Sequence, residues 1–192
     1  MKKTTRLRAL FEAPDILVMP GAHDALSARL AERAGFDAVI MGGFPTTGSL
    51  LAAPDSSQLG LTELADHFRR VSAAVDVPLF VDGDTGFGNV TNVRRTTMEF
   101  ERAGVAGFFI EDQVFPKRSG HTPGKAVVPA VEMAAKIMAA TEGRLDDALV
   151  IMARTDEIAV VGLAAAIDRA GLYREAGADV LFIEAPTSVE DM

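Results

Sequence analysis

The feature that most constrains the fold is a short phrase that occurs three times in the chain. Residues 32–39, 101–108 and 174–181 each pass through Ala-Gly into an apolar run, and each follows an amphipathic segment. Glycine can take a positive φ where a helix ends, so each phrase predicts a helix that closes there and a strand that begins at once. The chain therefore consists of repeated helix and strand units.

Six short runs predict strands: residues 16–21, 38–43, 78–84, 107–112, 149–156 and 180–184. The runs 78–81, 107–110 and 180–183 are apolar at every position, as in parallel strands that helices cover on both faces. We predict an α/β fold with about six β/α units in one domain, residues 1–192. An incomplete (β/α)₈ barrel fits this pattern, and a doubly wound open sheet would produce the same local sequence.

Charge and composition exclude several partners. The chain has 19 basic and 27 acidic side chains, a net charge of -8, and no basic patch, so we do not expect it to bind nucleic acid. The absence of cysteine excludes disulfides and thiolate chemistry. No apolar run approaches the roughly 20 residues of a membrane-spanning helix, and Glu12 and Pro14 interrupt any signal peptide. We expect no membrane partner and a cytoplasmic location.

Charged side chains cluster where the predicted strands end. Asp82 and Asp84 close one strand and Glu111 the next, while Arg154 and Glu184 close two others. Barrel enzymes build their sites on this face. Carboxylates on adjacent strands repel one another unless they share a cation, and hard oxygen ligands favour Mg²⁺ or Mn²⁺. The alternative is that these residues are helix caps and solvated turns.

A polar loop follows the fourth predicted strand. Residues 116–125 lie between prolines and contain Lys117, Arg118 and Lys125. A loop of this kind is either a lid that neutralises and covers an anionic substrate or a solvated segment without a partner.

Five blocks, in order, resemble signatures of the isocitrate lyase and phosphoenolpyruvate mutase superfamily. Residues 82–88 read Asp-Gly-Asp-Thr-Gly-Phe-Gly, and residues 110–121 read Ile-Glu-Asp-Gln-Val-Phe-Pro-Lys-Arg-Ser-Gly-His. Residues 20–26, 153–156 and 182–185 match further blocks. The resemblance runs from about residue 16 to the end and favours the barrel.

The resemblance implies a Mg²⁺ ion held directly by Asp84, with the other acidic groups acting through water, and a small carboxylic acid that reacts through an enolate. Metal, amides and arginine would face the oxygen where negative charge develops. It also implies a homo-oligomer, a tetramer in relatives. The implied site residues are, for the metal, Asp82, Asp84, Glu111 and Asp55; for the substrate, Met41, Gly42, Gly43, Arg154 and Glu184; and for catalysis, Lys117, Ser119, His121 and Arg154.

Two residues depart from the family pattern. Ser119 stands where the lyases place a cysteine that exchanges a proton with the enolate carbon, and a hydroxyl needs a neighbouring base for that task. Met41 stands where many relatives have a serine that helps bind the carboxylate. Three functions stay open: a Mg²⁺-dependent carbon–carbon lyase or decarboxylase, a phosphonate enzyme such as a mutase or phosphonopyruvate hydrolase, and an inactive carboxylate-binding module.

The length is the third departure, because the superfamily barrel needs two more β/α units after residue 184. We expect the chain to be a fragment of a longer protein; the alternative is a short form that completes its barrel by association. In either case the last strand should expose an apolar edge where its neighbour would pair.

Overall fold

The computed structural model describes residues 1–119 and 122–191. Helices separate the five strands of the described chain, two of them between the first and second strands, and a short 3₁₀ turn, Glu157–Ala159, follows the fourth strand. The helices are α1 Lys3–Glu12, α2 Ala25–Arg33, α3 Gly43–Leu51, α4 Leu61–Ala74, α5 Val90–Arg102, α6 Ala130–Gly143 and α7 Leu163–Glu175. The strands are β1 Val39–Met41, β2 Leu79–Asp82, β3 Gly107–Glu111, β4 Val150–Thr155 and β5 Val180–Ile183.

The five strands form one parallel sheet in which each strand pairs with the next in sequence, in the order β1-β2-β3-β4-β5. A doubly wound sheet reverses its strand order at a switch point, whereas a barrel adds strands in one direction. The sequential order therefore decides for the barrel type, and the predicted α/β fold is confirmed. The edge strand β5 is only partly covered, with Leu181 37% exposed.

The predicted first strand, residues 16–21, is wrong as a full strand. It is reduced to one parallel bridge between Gly21 and Ile40, and Ile40 N donates to Pro20 O over 3.1 Å. Proline has no N–H to donate to a ladder. Ile16 and Val18, 92% and 59% exposed, have no strand beside them on the outer side within the described chain.

The predicted helix-to-strand junctions are confirmed. Gly35, Gly104 and Gly177 follow α2, α5 and α7 with φ of 92°, 82° and 105°. At Gly104 a Cβ atom would also lie 2.7 Å from Ser72 Oγ, so both backbone conformation and close packing require glycine there.

Alternate strand residues enter two different apolar layers. Val81 and Phe108 belong to the layer between sheet and helices, whereas Phe80, Phe109 and Met152 belong to an inner layer, which Leu7 of α1 closes from below. Side chains on a strand alternate between its faces, so residues two positions further along emerge on the same inner face. The inner rows of β2, β3 and β4 therefore end in Asp82, Glu111 and Arg154. None of the helices in the described residues is long and apolar enough to span a membrane.

Candidate active site

Most of the predicted site residues line one cavity of about 530 Å³ at the carboxyl ends of the strands. The apolar part of its wall includes Ile40, Phe109 and Phe182. The predicted residues that line it are Gly42, Gly43, Asp55, Asp82, Glu111, Lys117, Ser119, Arg154 and Glu184. Asp84 joins this group through a salt bridge to Lys117.

Met41, which was predicted to contact the substrate, does not line this cavity. The side chain of Met41 is fully buried between sheet and helices, so any contact of Met41 with the substrate would have to come from its backbone. The reason is alternation along β1, which turns Ile40 rather than Met41 toward the cavity. His121 lies outside the described residues.

An ammonium group occupies the centre of the acidic cluster. Lys117 Nζ lies 2.6 Å from Asp84 Oδ1, 2.9 Å from Asp55 Oδ2 and 3.7 Å from Asp82 Oδ2. The Lys117 side chain is 3% exposed. Burial alone would lower the pKa of Lys117, but the surrounding carboxylates outweigh burial and raise it. Lys117 is therefore a charged partner of the acids and is not free to meet an anionic substrate.

The backbone at the start of α3 contacts the same acidic cluster. Gly43 N donates to Asp82 Oδ2 over 2.8 Å, so in this structure that amide serves the acidic cluster instead of pointing to a ligand, contrary to expectation. A Cβ atom at Gly43 would lie 2.9 Å from both Asp82 Oδ2 and Lys117 Nζ. Asp84 N also donates to Asp82, over 2.8 Å, and Asp84 itself has a φ of 48°. These contacts hold the carboxylates of Asp82 and Asp84 close to the start of α3.

The cluster carries more negative charge than its buried cations neutralise. Burial and the neighbouring Asp82 raise the pKa of Asp84 to about 7, and burial raises the pKa of Glu111 well above its usual range. A further cation would lower both pKa values. The donor set of carboxylate oxygens also fits Mg²⁺. Within residues 1–119 and 122–191, however, no group of three or more acidic, His or Cys side chains is arranged around a metal position.

Glu111 pairs with Arg154 and accepts a hydrogen bond from Gln113. Its Oε2 lies 3.3 Å from Arg154 Nε, and its Oε1 accepts from Gln113 Nε2 over 3.0 Å. Gln113 Oε1 accepts from Arg118 N over 2.9 Å, which ties the polar loop to the strand end. The sequence analysis gave Gln113 no role, although it lies inside residues 110–121, which resemble a family signature.

Arg154 stands opposite the acidic cluster with a fixed orientation. Asp156 accepts from its Nε and Nη2 in a two-pronged pair, both at 3.0 Å, and Glu184 lies 3.5 Å from Nη2. The guanidinium carbon lies 5.9 Å and 5.4 Å from the ring centres of Phe109 and Phe182. Burial alone would lower the pKa of Arg154, but the carboxylates raise it, so the group is a permanent cation.

Behind the cavity lies a buried network that the sequence analysis missed. The fully buried Asp112 accepts from Thr155 Oγ1 and Tyr173 OH, both over 2.7 Å, and from Asp156 N over 2.9 Å. Arg169 Nη1 lies 3.4 Å from the same carboxylate. This network holds the β4 end from which Arg154 and Asp156 extend. The available signal was alternation, because Asp112 must face the helices if Glu111 faces the cavity.

The polar loop packs over the site. Lys125 Nζ donates to Asp156 over 2.6 Å, Lys117 N donates to Ser57 Oγ over 3.2 Å, and Val114 N donates to Ala126 O over 2.8 Å. Ser119 is half-buried at the cavity wall. Two of the three loop cations are therefore buried in ion pairs, and the alternative of a wholly solvated loop is wrong.

Over residues 7–192 the chain matches the family described as phosphoenolpyruvate phosphomutase. The chain belongs to this family. The predicted superfamily is thereby confirmed. The chain is 44% identical over 192 residues to 2,3-dimethylmalate lyase of Eubacterium barkeri, covering 100% of this chain and 66% of that protein. It is 49% identical over 185 residues to 2-methylisocitrate lyase of Aeropyrum pernix, covering 96% of this chain and 59% of that protein.

Solved structures of family members superpose closely. An oxaloacetate acetylhydrolase in complex with the inhibitor 3,3-difluorooxalacetate matches with a TM-score of 0.95 at 37% identity, over 99% of this chain and 66% of that one. A phosphonopyruvate hydrolase complex with oxalate and Mg²⁺ matches with a TM-score of 0.90 at 35% identity, over 100% and 66%. The chain thus spans 59% to 66% of the length of these relatives.

Proposed function

We propose that the protein containing this chain is a Mg²⁺-dependent carbon–carbon lyase or decarboxylase. Its substrate is a small 2-oxo or 2-hydroxy di- or tricarboxylic acid, which reacts through a pyruvate-like enolate. The family and the two relatives named as lyases support the reaction class. Cytoplasmic location and homo-oligomer formation remain predictions.

The observation that carries the proposal is that a fixed arginine and an acidic cluster with excess negative charge face each other across one cavity. The contacts described for Arg154 use Nε and Nη2, so we expect Nη1 to donate to a substrate carboxylate. The flanking rings of Phe109 and Phe182 exclude water from that contact and strengthen it. Glu184 would then meet the far end of the substrate.

Asp84, Asp82, Glu111 and Asp55 are the residues that would hold Mg²⁺. When bound, the ion supplies a Lewis acid for the oxygen on which an enolate places negative charge. Residues of the chain supply the other functions of the site. Arg154 orients the acid, Arg118 and Ser119 of the polar loop border the cavity, and Gly42, just before α3, lies beside the same space.

Ser119 bears on the choice of reaction. A serine hydroxyl is a poor proton donor or acceptor at neutral pH without a neighbouring base, so we favour reactions that do not need a thiol at this position, such as decarboxylation. The same residue favours a second candidate, hydrolysis or rearrangement of a carbon–phosphorus bond. The similarity to phosphonopyruvate hydrolase supports that candidate.

The test is a pyruvate-release assay on the purified protein in its full natural length. Oxaloacetate, 2-methylisocitrate and phosphonopyruvate are each assayed after EDTA treatment and again after Mg²⁺ is restored. We expect pyruvate from oxaloacetate or 2-methylisocitrate at a rate above that of a protein-free control, and only with Mg²⁺. Pyruvate and phosphate from phosphonopyruvate alone would support the second candidate. No turnover of any of the three would count against both and favour a carboxylate-binding module.

A further inference from the structure

Lys117 extends from the polar loop into the position that a metal-binding carboxylate cluster would reserve for its cation. Its Nζ is within hydrogen-bonding distance of Asp84 Oδ1, at 2.6 Å, and of Asp55 Oδ2, at 2.9 Å. Both acidic side chains are nearly covered, at 8% and 6% exposure. An ion pair this deeply buried and this short is a specific interaction, since exposed pairs gain little from such contact.

The ammonium and a bound magnesium ion would compete for the same carboxylate oxygen. Magnesium lies about 2.1 Å from its carboxylate ligands, close to the separation already taken by Nζ at Asp84 Oδ1. The backbone closes the other side, because the space a Gly43 Cβ would fill is 2.9 Å from Nζ and 3.1 Å from Asp55 Oδ2. Two positive charges at such a distance would also repel strongly in a dry site.

We propose that Lys117 is an internal counter-cation that a divalent ion must displace, and that this displacement loosens the loop carrying Lys117. The proposal rests on the metal-dependent function proposed above. Without the ion, the ammonium neutralises Asp84 and Asp55 and draws the loop onto the cavity. With the ion bound, the two cations compete for the same carboxylates, and Lys117 leaves toward the cavity, where it can meet the carboxylate of an entering substrate.

The other loop contacts show how far this motion extends. Gln113 holds Arg118 at both its backbone N and O, at 2.9 Å each, and Lys125 holds Asp156 over 2.6 Å. None of these contacts involves Asp84, Asp55 or Asp82. Displacement of Lys117 therefore loosens the segment around residues 115–117, which the bond from Lys117 N to Ser57 Oγ over 3.2 Å still holds, while the loop base stays attached. Coupling of this kind is reciprocal, so the loop position must also set the apparent affinity for the metal.

The alternative is that Lys117 only neutralises a structural cluster. Removing it would then leave the acids uncompensated and destabilise the protein, with no specific gain in metal affinity. The two accounts differ in the affinity for a divalent ion, which can be measured without any substrate.

The experiment is a Mn²⁺ titration followed by electron paramagnetic resonance, on the wild-type protein, Lys117→Met and Lys117→Gln. The matched control is Arg118→Met, because Arg118 is the exposed neighbour whose Nη1 donates to Pro123 O over 3.1 Å. We expect roughly tenfold or tighter Mn²⁺ binding in both Lys117 variants, no change in the control, and displacement of Mn²⁺ by Mg²⁺. Equal affinity in all proteins would overturn the competition while leaving the metal site intact. No Mn²⁺ binding by any protein would overturn both proposals.

A second measurement needs no variant at all. Trypsin cleavage after Lys117 in the wild-type protein should become severalfold faster when Mg²⁺ is added, because displacement exposes that peptide. Cleavage after Arg69 and Arg70, two exposed residues of α4, serves as the internal reference. A rate at Lys117 that falls or stays constant with Mg²⁺ would overturn the proposed displacement.

Discussion

The buried carboxylate of Asp112 allows a stability prediction that can be worked out atom by atom. In Asp112→Asn, the amide oxygen can keep the place of Oδ2 and accept from Thr155 and Tyr173. The amide NH₂ must then face Asp156 N, which loses its acceptor. An orphaned buried donor costs about 1–3 kcal/mol, and the two retained bonds lose part of their charge assistance. We expect a loss of about 3 kcal/mol in the free energy of unfolding.

Urea unfolding followed by circular dichroism measures this loss as a lower midpoint at an unchanged slope. Tyr173→Phe removes one donor and leaves the carboxylate its other partners, so it should cost only about 1 kcal/mol. The control is Asp37→Asn, whose partner Arg6 lies on the surface and whose side chain is 63% exposed. Asp37→Asn should change stability by less than about 0.5 kcal/mol. A loss below about 1 kcal/mol in Asp112→Asn, or an equal loss in Tyr173→Phe, would refute this account.

Three further predictions concern packing, charge and the site. Gly107→Ala should destabilise by about 2 kcal/mol, because its Cβ would lie 2.8 Å from Val150 Cβ, whereas Gly171→Ala in open space should be neutral or stabilising in thermal melts. Burial lowers the pKa of Lys136, so the unfolded chain binds more protons than the folded one at high pH. The free energy of unfolding, relative to that of Lys136→Met, should therefore rise as the pH increases toward 10.5, and a difference that does not change with pH would contradict this. Arg154→Lys should lower kcat/KM about a hundredfold with the fold intact, while Arg144→Lys, which pairs with Asp179, should not.

Much of the architecture could be predicted from local sequence. The Ala-Gly junctions fix helix ends by glycine conformation, and runs such as residues 107–110 fix covered parallel strands, because both depend only on neighbouring residues. The acids and the arginine at the strand ends followed from the same register, and the structure brings Asp82, Glu111 and Arg154 to one cavity.

Contacts between side chains that are far apart in the sequence could not be predicted. Lys117 and Asp55 are 62 positions apart, and Asp112 and Tyr173 are 61 apart, so neither pair leaves a local pattern. The burial of the Met41 side chain could have been predicted, since alternation along β1 already turns it toward the helices. The strand at residues 16–21 failed because its apolar side chains need a neighbour on the outer side, which local sequence does not reveal.

The central claim is that a divalent cation and a carboxylate ligand meet between Asp84 and Arg154. The most direct test is anomalous diffraction from crystals soaked with Mn²⁺ and oxalate, a planar dicarboxylate that resembles a pyruvate enolate. The account predicts one Mn²⁺ peak beside Asp84, oxalate in contact with both the ion and Arg154, and Lys117 displaced from the acids. Oxalate or Mn²⁺ bound elsewhere, with Lys117 still paired to Asp84, would contradict it.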